Sequence, residues 1–346
     1  MQSTVLIAIL NWGLGHATRS IPVIKLFLSK NYIVHIASDG EALLFLQKEF
    51  PQLEFHTLPT YGISYPYRSI LLNVLSSGFS IYRAIYRERA MIESLVKKIK
   101  PDLIISDNRY GAWSKEVRSV IMTHQLKIIL GNRLLSLFAT GFIKGMVNKF
   151  DIVWIPDYNN SNSLGGELSK AYSKSKYIYI GPLSRFYPIK LEKKYDIAIV
   201  LSGPEPQRTK LEAIIIEKLK NIDKKVILVR GKVEDGEDYY MYDRVKVVNY
   251  MLSEDLNNLL NQSELIIARS GYSTIMDLAV LGKKAILIPT PGQTEQEYLA
   301  KHLTDKKIYY SVSQSEFDLE KALEKISEYS GVSIGGNDLK NIISTI

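Results

Sequence analysis

Short apolar, β-branched runs alternate along the chain with longer stretches in which apolar residues recur every three to four positions. Runs such as Leu103–Ser106 and Lys127–Leu130 are apolar without alternation, as in strands covered on both faces. Strand-then-helix repetition of this kind predicts parallel sheets with crossover helices. In the first half, strands are expected at Val5–Leu10, Tyr32–Ala37, Glu54–Thr57, Leu103–Ser106, Lys127–Leu130 and Asp151–Ile155. Helices are expected near Ala17–Ser29, Glu41–Glu49, Ile70–Lys98 and Leu134–Lys149.

Around Tyr177–Tyr195 the pattern resets through two prolines, a Gly-Pro and a charged run, which is linker chemistry. A second series then predicts strands Asp196–Leu201, Lys225–Val229, Val245–Val248, Leu265–Ala268 and Ala285–Ile288. Its helices are Gln207–Asn221, Glu254–Asn261, Thr274–Leu281 and Glu295–Asp305. The fold class is therefore α/β, with two Rossmann-like doubly wound domains facing across a cleft. The expected boundaries are a first domain over 1–182, a linker over 183–195, and a second domain over 196–346. A length of 346 residues agrees, because single cores stop growing near ~250–300 residues.

Charge divides along the same line. Residues 1–175 hold 20 basic and 12 acidic side chains, whereas residues 176–346 hold 24 of each, so the net +8 belongs to the first half. That half is expected to meet something anionic: nucleic acid, an acidic lipid surface or a phosphorylated substrate. Arg68, Arg83, Arg87 and Arg89, interleaved with Tyr82 and Tyr86, fit either of the first two, and Ile70–Leu72, Val74–Leu75 and Phe79 fit a membrane-facing patch. A core helix with a solvated basic face explains them more simply and ranks first. The absence of cysteine removes disulfides, thiolate metal sites and Cys nucleophiles and suits a reducing cytosol. No apolar run nears the ~20 residues of a membrane span, and Val5–Leu10 is too short for a signal peptide.

The chemistry sits after strands. The first strand runs into Asn11-Trp12-Gly13-Leu14-Gly15-His16-Ala17-Thr18-Arg19, a glycine turn entering a helix. Gly13 and Gly15 allow close backbone approach to a ligand, and His16 at the cleft mouth can take a proton near neutral pH. A dinucleotide fingerprint is the other reading, but Thr18 stands where its third glycine belongs. Asp107 ends the strand of PDLIISDNRYG, placed to act as base, to orient one, or to cap a helix. In the second half, Arg269-Ser270-Gly271 turns into a helix bearing Ser273 and Thr274, a ready anion site. Asp277 lies one turn on, where a carboxylate can accept a ribose diol or complete a helix cap. Gln296, beyond the loop from Pro289, can reach a sugar hydroxyl, while Ser202-Gly203 and Arg208 form a second phosphate-sized loop. Glu234-Asp235 and Glu237-Asp238 sit in a charged turn, and no metal ligand set is expected.

Together the segment ARSGYSTIMDLAVLGKKAILIP…EQEYLA, the loop GLGHATRS and the linker opening GPLSR resemble a GT-B glycosyltransferase of family 28 type, similar to the peptidoglycan N-acetylglucosaminyltransferase family. The resemblance implies that 1–182 is an acceptor-binding domain and 196–346 a nucleotide-sugar donor-binding domain whose last helix packs back on the first, that Ser270, Gly271 and Thr274 line a diphosphate, that Asp277 binds ribose, and that Gln296 binds the donor sugar. It implies that Tyr250–Met251 meet the base, that Ser202–Gly203 and Arg185 approach the phosphates, and that His16 is the loop histidine proposed as base. Three departures stand out. Asp277 replaces the usual Glu, Leu299 replaces the Asn of Gln-x-x-Asn-Ala, and GLGH replaces a Gly-Gly-Thr-Gly-Gly-His loop.

The expected reaction is inverting, metal-independent transfer from a UDP-sugar to an acceptor hydroxyl, with the nucleotide-sugar as substrate and no cofactor. The acceptor is a glycan or a lipid-linked phosphate, which explains the charge without nucleic acid. The expected place is the cytoplasm, peripheral on the inner face of the cytoplasmic membrane. A UDP-sugar 2-epimerase of the same fold, an NAD-type oxidoreductase and a non-catalytic sugar-nucleotide-binding protein are the alternatives.

Overall fold

The computed structural model describes residues 2–61, 70–129, 132–173, 175–220, 222–232, 238–334 and 342–346, the side chains of 70–79 excepted. Arg68, Leu130, the apolar side chains between Ile70 and Phe79, and the acidic residues Glu234, Asp235 and Glu237 lie outside the described residues.

The first sheet gathers β1 (Thr4–Ile9), β2 (Ile33–Ser38), β3 (Glu54–Thr57), β4 (Leu103–Asp107), β5 (Arg118–Met122), β6 (Ile152–Ile155) and β7 (Tyr177–Tyr179) in the order β3-β2-β1-β4-β5-β6-β7. Every pairing is parallel. The helices of this half are α1 (Leu14–Ser29), α2 (Gly40–Glu49), α3 (Ile70–Ile99) and α4 (Arg133–Val147). Val5 to Ile9 are wholly buried, because helices cover both faces of a parallel sheet, and each buried Val, Leu or Ile there stabilises the fold by roughly 1.5–3 kcal/mol. Strand order reverses between β1 and β4, where Ile9 pairs with Asp107. The loop after β1 and the end of β4 thus open into one crevice, the usual ligand position of such sheets.

The second sheet has the order β10-β11-β9-β8-β12-β13-β14, from β8 (Tyr195–Val200), β9 (Val226–Val229), β10 (Tyr239–Met241), β11 (Val245–Val248), β12 (Ser263–Ala268), β13 (Lys284–Leu287) and β14 (Tyr310–Ser311). Only the edge pair β10–β11 is antiparallel among the described strands. Helices α5 (Gln207–Lys218), α6 (Ser253–Asn261), α7 (Tyr272–Leu281), α8 (Thr294–Asp305) and α9 (Leu319–Lys325) accompany it. Here the reversal falls between β8 and β12, so Ser202 and the Arg269–Ser273 turn share a crevice.

The two halves meet through α1 and α7, and one apolar cluster runs continuously from Ile7 and Ile24 to Met276 and Leu299. The chain end returns to the first sheet: Ile342 is buried in that cluster and Trp154 Nε1 donates to Thr345 Oγ1 at 2.9 Å. Among the described residues of this end, the returning element is the 3-10 turn Ile343–Thr345.

The expected strand at Lys127–Leu130 is replaced by β5 at Arg118–Met122. Lys127 and Leu126 donate their amides to the Leu168 carbonyl, and Ile128 donates to Thr140 Oγ1, so this stretch is tied to a loop and to α4. The edge strands β7, β10 and β14 have two or three residues each, too short to leave a periodic signal.

Candidate active site

The crevice of the first sheet holds a buried polar chain built on Asp107. Its carboxylate receives four donors: His16 Nδ1 to Oδ1 at 2.9 Å, Arg19 Nε to Oδ2 at 2.8 Å, Ser20 Oγ to Oδ2 at 3.0 Å, and Arg19 Nη2 to Oδ1. All four come from three residues in the first turns of α1, which Gly13 starts with a φ of 71°. That left-handed entry favours glycine and sets the helix close against β4. Burial alone would raise Asp107, but Arg19 and His16 hold its carboxyl well below the usual carboxylate range.

A carboxylate only accepts, so His16 must carry its proton on Nδ1, leaving Nε2 as the basic atom. Burial first, then the Arg19 cation, lowers the imidazole below its ordinary value against the opposing pull of Asp107. The ring is therefore neutral at neutral pH and can take a proton. His16, Asp107 and Arg19, singled out by sequence, are one unit here.

Arg19 extends the chain further. Its Nη1 donates to His124 Nδ1 at 2.8 Å, which fixes the His124 proton on Nε2, and Nε2 lies 2.9 Å from Glu295 Oε1 on α8. His124 also stacks on Tyr272 of α7, with ring centroids 3.9 Å apart and planes within 4°. His124 and Glu295 were not singled out by sequence. His124 follows the end of β5, and a strand misplaced to 127–130 put it before a strand instead. Glu295 stands beside Gln296 in the motif already quoted.

Across the cleft, Ser273 Oγ donates to the Gly15 carbonyl at 2.8 Å, bringing the start of α7 against the first glycine loop. Gly271 is the N-cap of α7 and has no side chain of its own to cover the first free amides of the helix. A pocket between the sheets is lined by Leu14, Gly15, Phe45, Arg185, Ser202, Tyr250, Met251, Ser273, Thr274 and Asp277. Asp277 accepts a hydrogen bond from Ser184 Oγ at 2.5 Å, and burial pushes its carboxyl up to about 7 although Arg185 opposes it. Arg185 lies 4.0 Å from Glu49 and 3.3 Å from Ser253 Oγ, yet its buried Nε has no hydrogen-bond partner. Lys48 reaches from α2 to the Tyr250 hydroxyl at 2.8 Å, and Glu49 accepts from Ser253 N at 2.7 Å, closing this end of the pocket.

Other expected donor residues hold the loops rather than line the pocket. Arg208, expected on a phosphate, is engaged by Glu205, Glu212 and the Arg230 carbonyl. Arg269 is fully buried and donates to the carbonyls of Gln207, Ile288 and Pro289 and to Gln314 Oε1. Burial lowers its guanidinium to about 10. Ser270 Oγ donates to the Gln296 carbonyl, and the Gln296 side chain accepts from Thr290 N and donates to Gln293. Gly203 adopts a φ of 100° that only glycine takes readily, turning the backbone after β8 beside Thr290. Among the described residues, one group brings metal-capable atoms within 4.8 Å of one another: His35, Glu54 and His56 on β2 and β3, none of which lines the pocket.

Residues 205–330 match the glycosyltransferase family 28 C-terminal domain. The UDP-N-acetylglucosamine--N-acetylmuramyl-(pentapeptide) pyrophosphoryl-undecaprenol N-acetylglucosamine transferase of Histophilus somni is 26% identical over 294 residues, covering 78% of this chain and 76% of that protein. The Rickettsia bellii protein of the same name is 24% identical over 350 residues, covering 95% and 92%. The solved glycotransferase of kitacinnamycin superposes with a TM-score of 0.68 at 13% identity, covering 95% of this chain and 91% of its own. Residues 205–330 thus resemble a glycosyltransferase family 28 C-terminal domain, in a chain that has the fold of the GT-B glycosyltransferases and is similar to the peptidoglycan N-acetylglucosaminyltransferase family.

Proposed function

We propose that this protein is an inverting glycosyltransferase that moves an N-acetylhexosamine or hexose from a UDP-sugar to the hydroxyl of a lipid-linked acceptor in cell-envelope glycan synthesis. The observation that carries this reading is the approach of two half-sites: the His16–Asp107 pair on the first sheet and the open N-terminus of α7, joined by the Ser273–Gly15 hydrogen bond. His16 Nε2 takes the proton of the acceptor hydroxyl as its oxygen bonds the anomeric carbon, and the carbon–oxygen bond to UDP breaks on the opposite face. The leaving diphosphate is received by the α7 amides and the Arg185 cation, an electrostatic role that requires no metal. Asp277 accepts the ribose hydroxyls.

The acceptor and donor classes draw support from the relatives, whose names specify UDP-N-acetylglucosamine and a pyrophosphoryl-undecaprenol carrier. The positive first half suits such an anionic acceptor, and the reading places the enzyme on the cytoplasmic face of the membrane without a role for nucleic acid. No helix among the described residues is long and apolar enough to cross a membrane. The test is product formation from a UDP-sugar panel with polyprenyl-phosphate acceptors, with and without chelator. Conversion of donor without acceptor would replace the reading with epimerisation, and loss of transfer on chelation would overturn metal independence.

A further inference from the structure

Two histidines and a glutamate meet at the edge of the first sheet, away from the crevice. Glu54 and His56 are two residues apart on β3, so both project from one face of that edge strand. His35 on β2 stands opposite Glu54 in the parallel register, which brings it to the same face. His35 Nδ1 lies 3.1 Å from His56 Nε2 and 3.4 Å from Glu54 Oε2. Sequence spacing does not reveal the trio, because its members sit on separate strands that only the register joins.

The distances suit a tetrahedral ion. Bonds of about 2.0–2.1 Å from zinc to imidazole nitrogen and carboxylate oxygen give a tetrahedron with edges of about 3.3–3.4 Å. Two of the three edges here, 3.1 and 3.4 Å, are near that length. A proton between the two nitrogens joins the histidines alone, whereas a divalent cation engages Glu54 as well. The imidazole planes lie within 22° of each other with centroids 5.3 Å apart, an edge-to-edge contact along which a proton is shared. Replacing that proton by an ion requires the rings to tilt toward a common point. The outer ligands have the freedom to do so, since His56 is half-buried and the Glu54 side chain is 76% exposed. Burial first, then His35 and the Lys98 cation, lower His56 against the pull of Glu54, so its imidazole is neutral near pH 7 and keeps a lone pair to give. We propose that His35, Glu54 and His56 bind one divalent transition metal of the zinc type, with water as the fourth ligand. Imidazole and carboxylate suit zinc, and the chain has no cysteine to compete for it. The ion ties the edge strand β3 to β2. None of the three residues lines the pocket, so the ion has no part in sugar transfer and the inference does not rest on that reading.

The test is calorimetric titration of the full chain, without an affinity tag, with zinc chloride, together with melting curves. The wild type should bind one zinc per chain, and its melting temperature should rise by at least about 2 °C in excess zinc. His56→Ala should weaken zinc binding about 100-fold or more and Glu54→Gln about tenfold or more, and both should lose the thermal shift. Glu54→Gln alters an exposed side chain, so it carries the test if His56→Ala does not fold. Glu41→Gln, which changes an exposed carboxylate on α2, should bind zinc as the wild type does. A wild type that binds no zinc at about 100 µM overturns the inference and leaves a proton shared between two histidines. Zinc binding that both His56→Ala and Glu54→Gln retain at full strength overturns it too, since the ion would then sit elsewhere.

Discussion

Nε2 of His124 lies 2.9 Å from Oε1 of Glu295, and this contact completes a chain of buried polar groups that crosses from one sheet to the other. His124 in turn accepts from Arg19, and Arg19 holds Asp107. The carboxylate that holds His16 is therefore itself positioned through a residue on α8. The groups that hold His16 in place thus come from both halves of the protein.

Glu295→Ala should leave the His124 Nε2–H without its acceptor and cost about 1–3 kcal/mol, read as a lower melting temperature. Turnover should fall about tenfold with it. Glu295→Gln keeps an acceptor oxygen and should cost less than about 1 kcal/mol. Equal losses for the two variants would show that charge rather than hydrogen bonding ties the sheets.

His16→Ala should slow turnover about 10²–10⁴-fold while UDP affinity, measured by calorimetry, stays nearly constant. The pH profile adds a second readout. The base works neutral, and burial with Arg19 lowers its pKa below 6.5, so the acid limb of kcat/KM should fall below that value. An acid limb above 6.5, or unchanged turnover in the variant, would remove His16 from this role.

Much of this was legible in the chain because the parallel sheets leave strong local signals. Wholly buried runs such as Val5–Ile9 and Ile266–Ala268 read directly as strands, and the residues after them read as crevice residues. His16 and Asp107 could both be named, since each ends or follows a strand. Their pairing needed the sheet order, which puts β1 beside β4. The contact of His124 with Glu295 spans 171 residues and has no sequence period, so only the fold brings it together. Arg208 and Arg269 misled for the opposite reason. An arginine beside a glycine loop reads as a phosphate ligand, whereas here Glu205 and Glu212 hold one guanidinium and backbone carbonyls hold the other.

Arg185 is the cation with an unfilled place in the pocket. Its Nε has no partner, and its guanidinium sits 4.7 Å from the Phe186 ring centroid. Arg185→Met keeps the apolar stem and removes the charge, so it should weaken UDP binding about tenfold or more while uridine binding changes little. An equal loss for uridine and UDP in calorimetry would mean that Arg185 shapes the pocket rather than binding phosphate.

Asp277 makes stability depend on pH in an unusual direction. Its carboxyl titrates near 3.8 when free and about 7 when folded, because burial outweighs Arg185 and Ser184. Between those values the folded state keeps a proton that the unfolded state has released. Raising the pH therefore favours unfolding: the contribution is complete below about pH 4 and is lost as pH climbs through 7. Asp277→Asn imitates the protonated form and keeps an oxygen for the Ser184 hydroxyl. It should match wild type in urea denaturation near pH 4 and exceed it by about 1–3 kcal/mol at pH 8, the size limited by the open pocket. Ribose hydroxyls that donate to the carboxylate favour its ionised form, so UDP should bind wild type more tightly as pH rises through 7. The variant's affinity should be flat over the same range. A wild type as stable relative to the variant at pH 8 as at pH 4 would show that the Asp277 carboxyl is ionised without penalty.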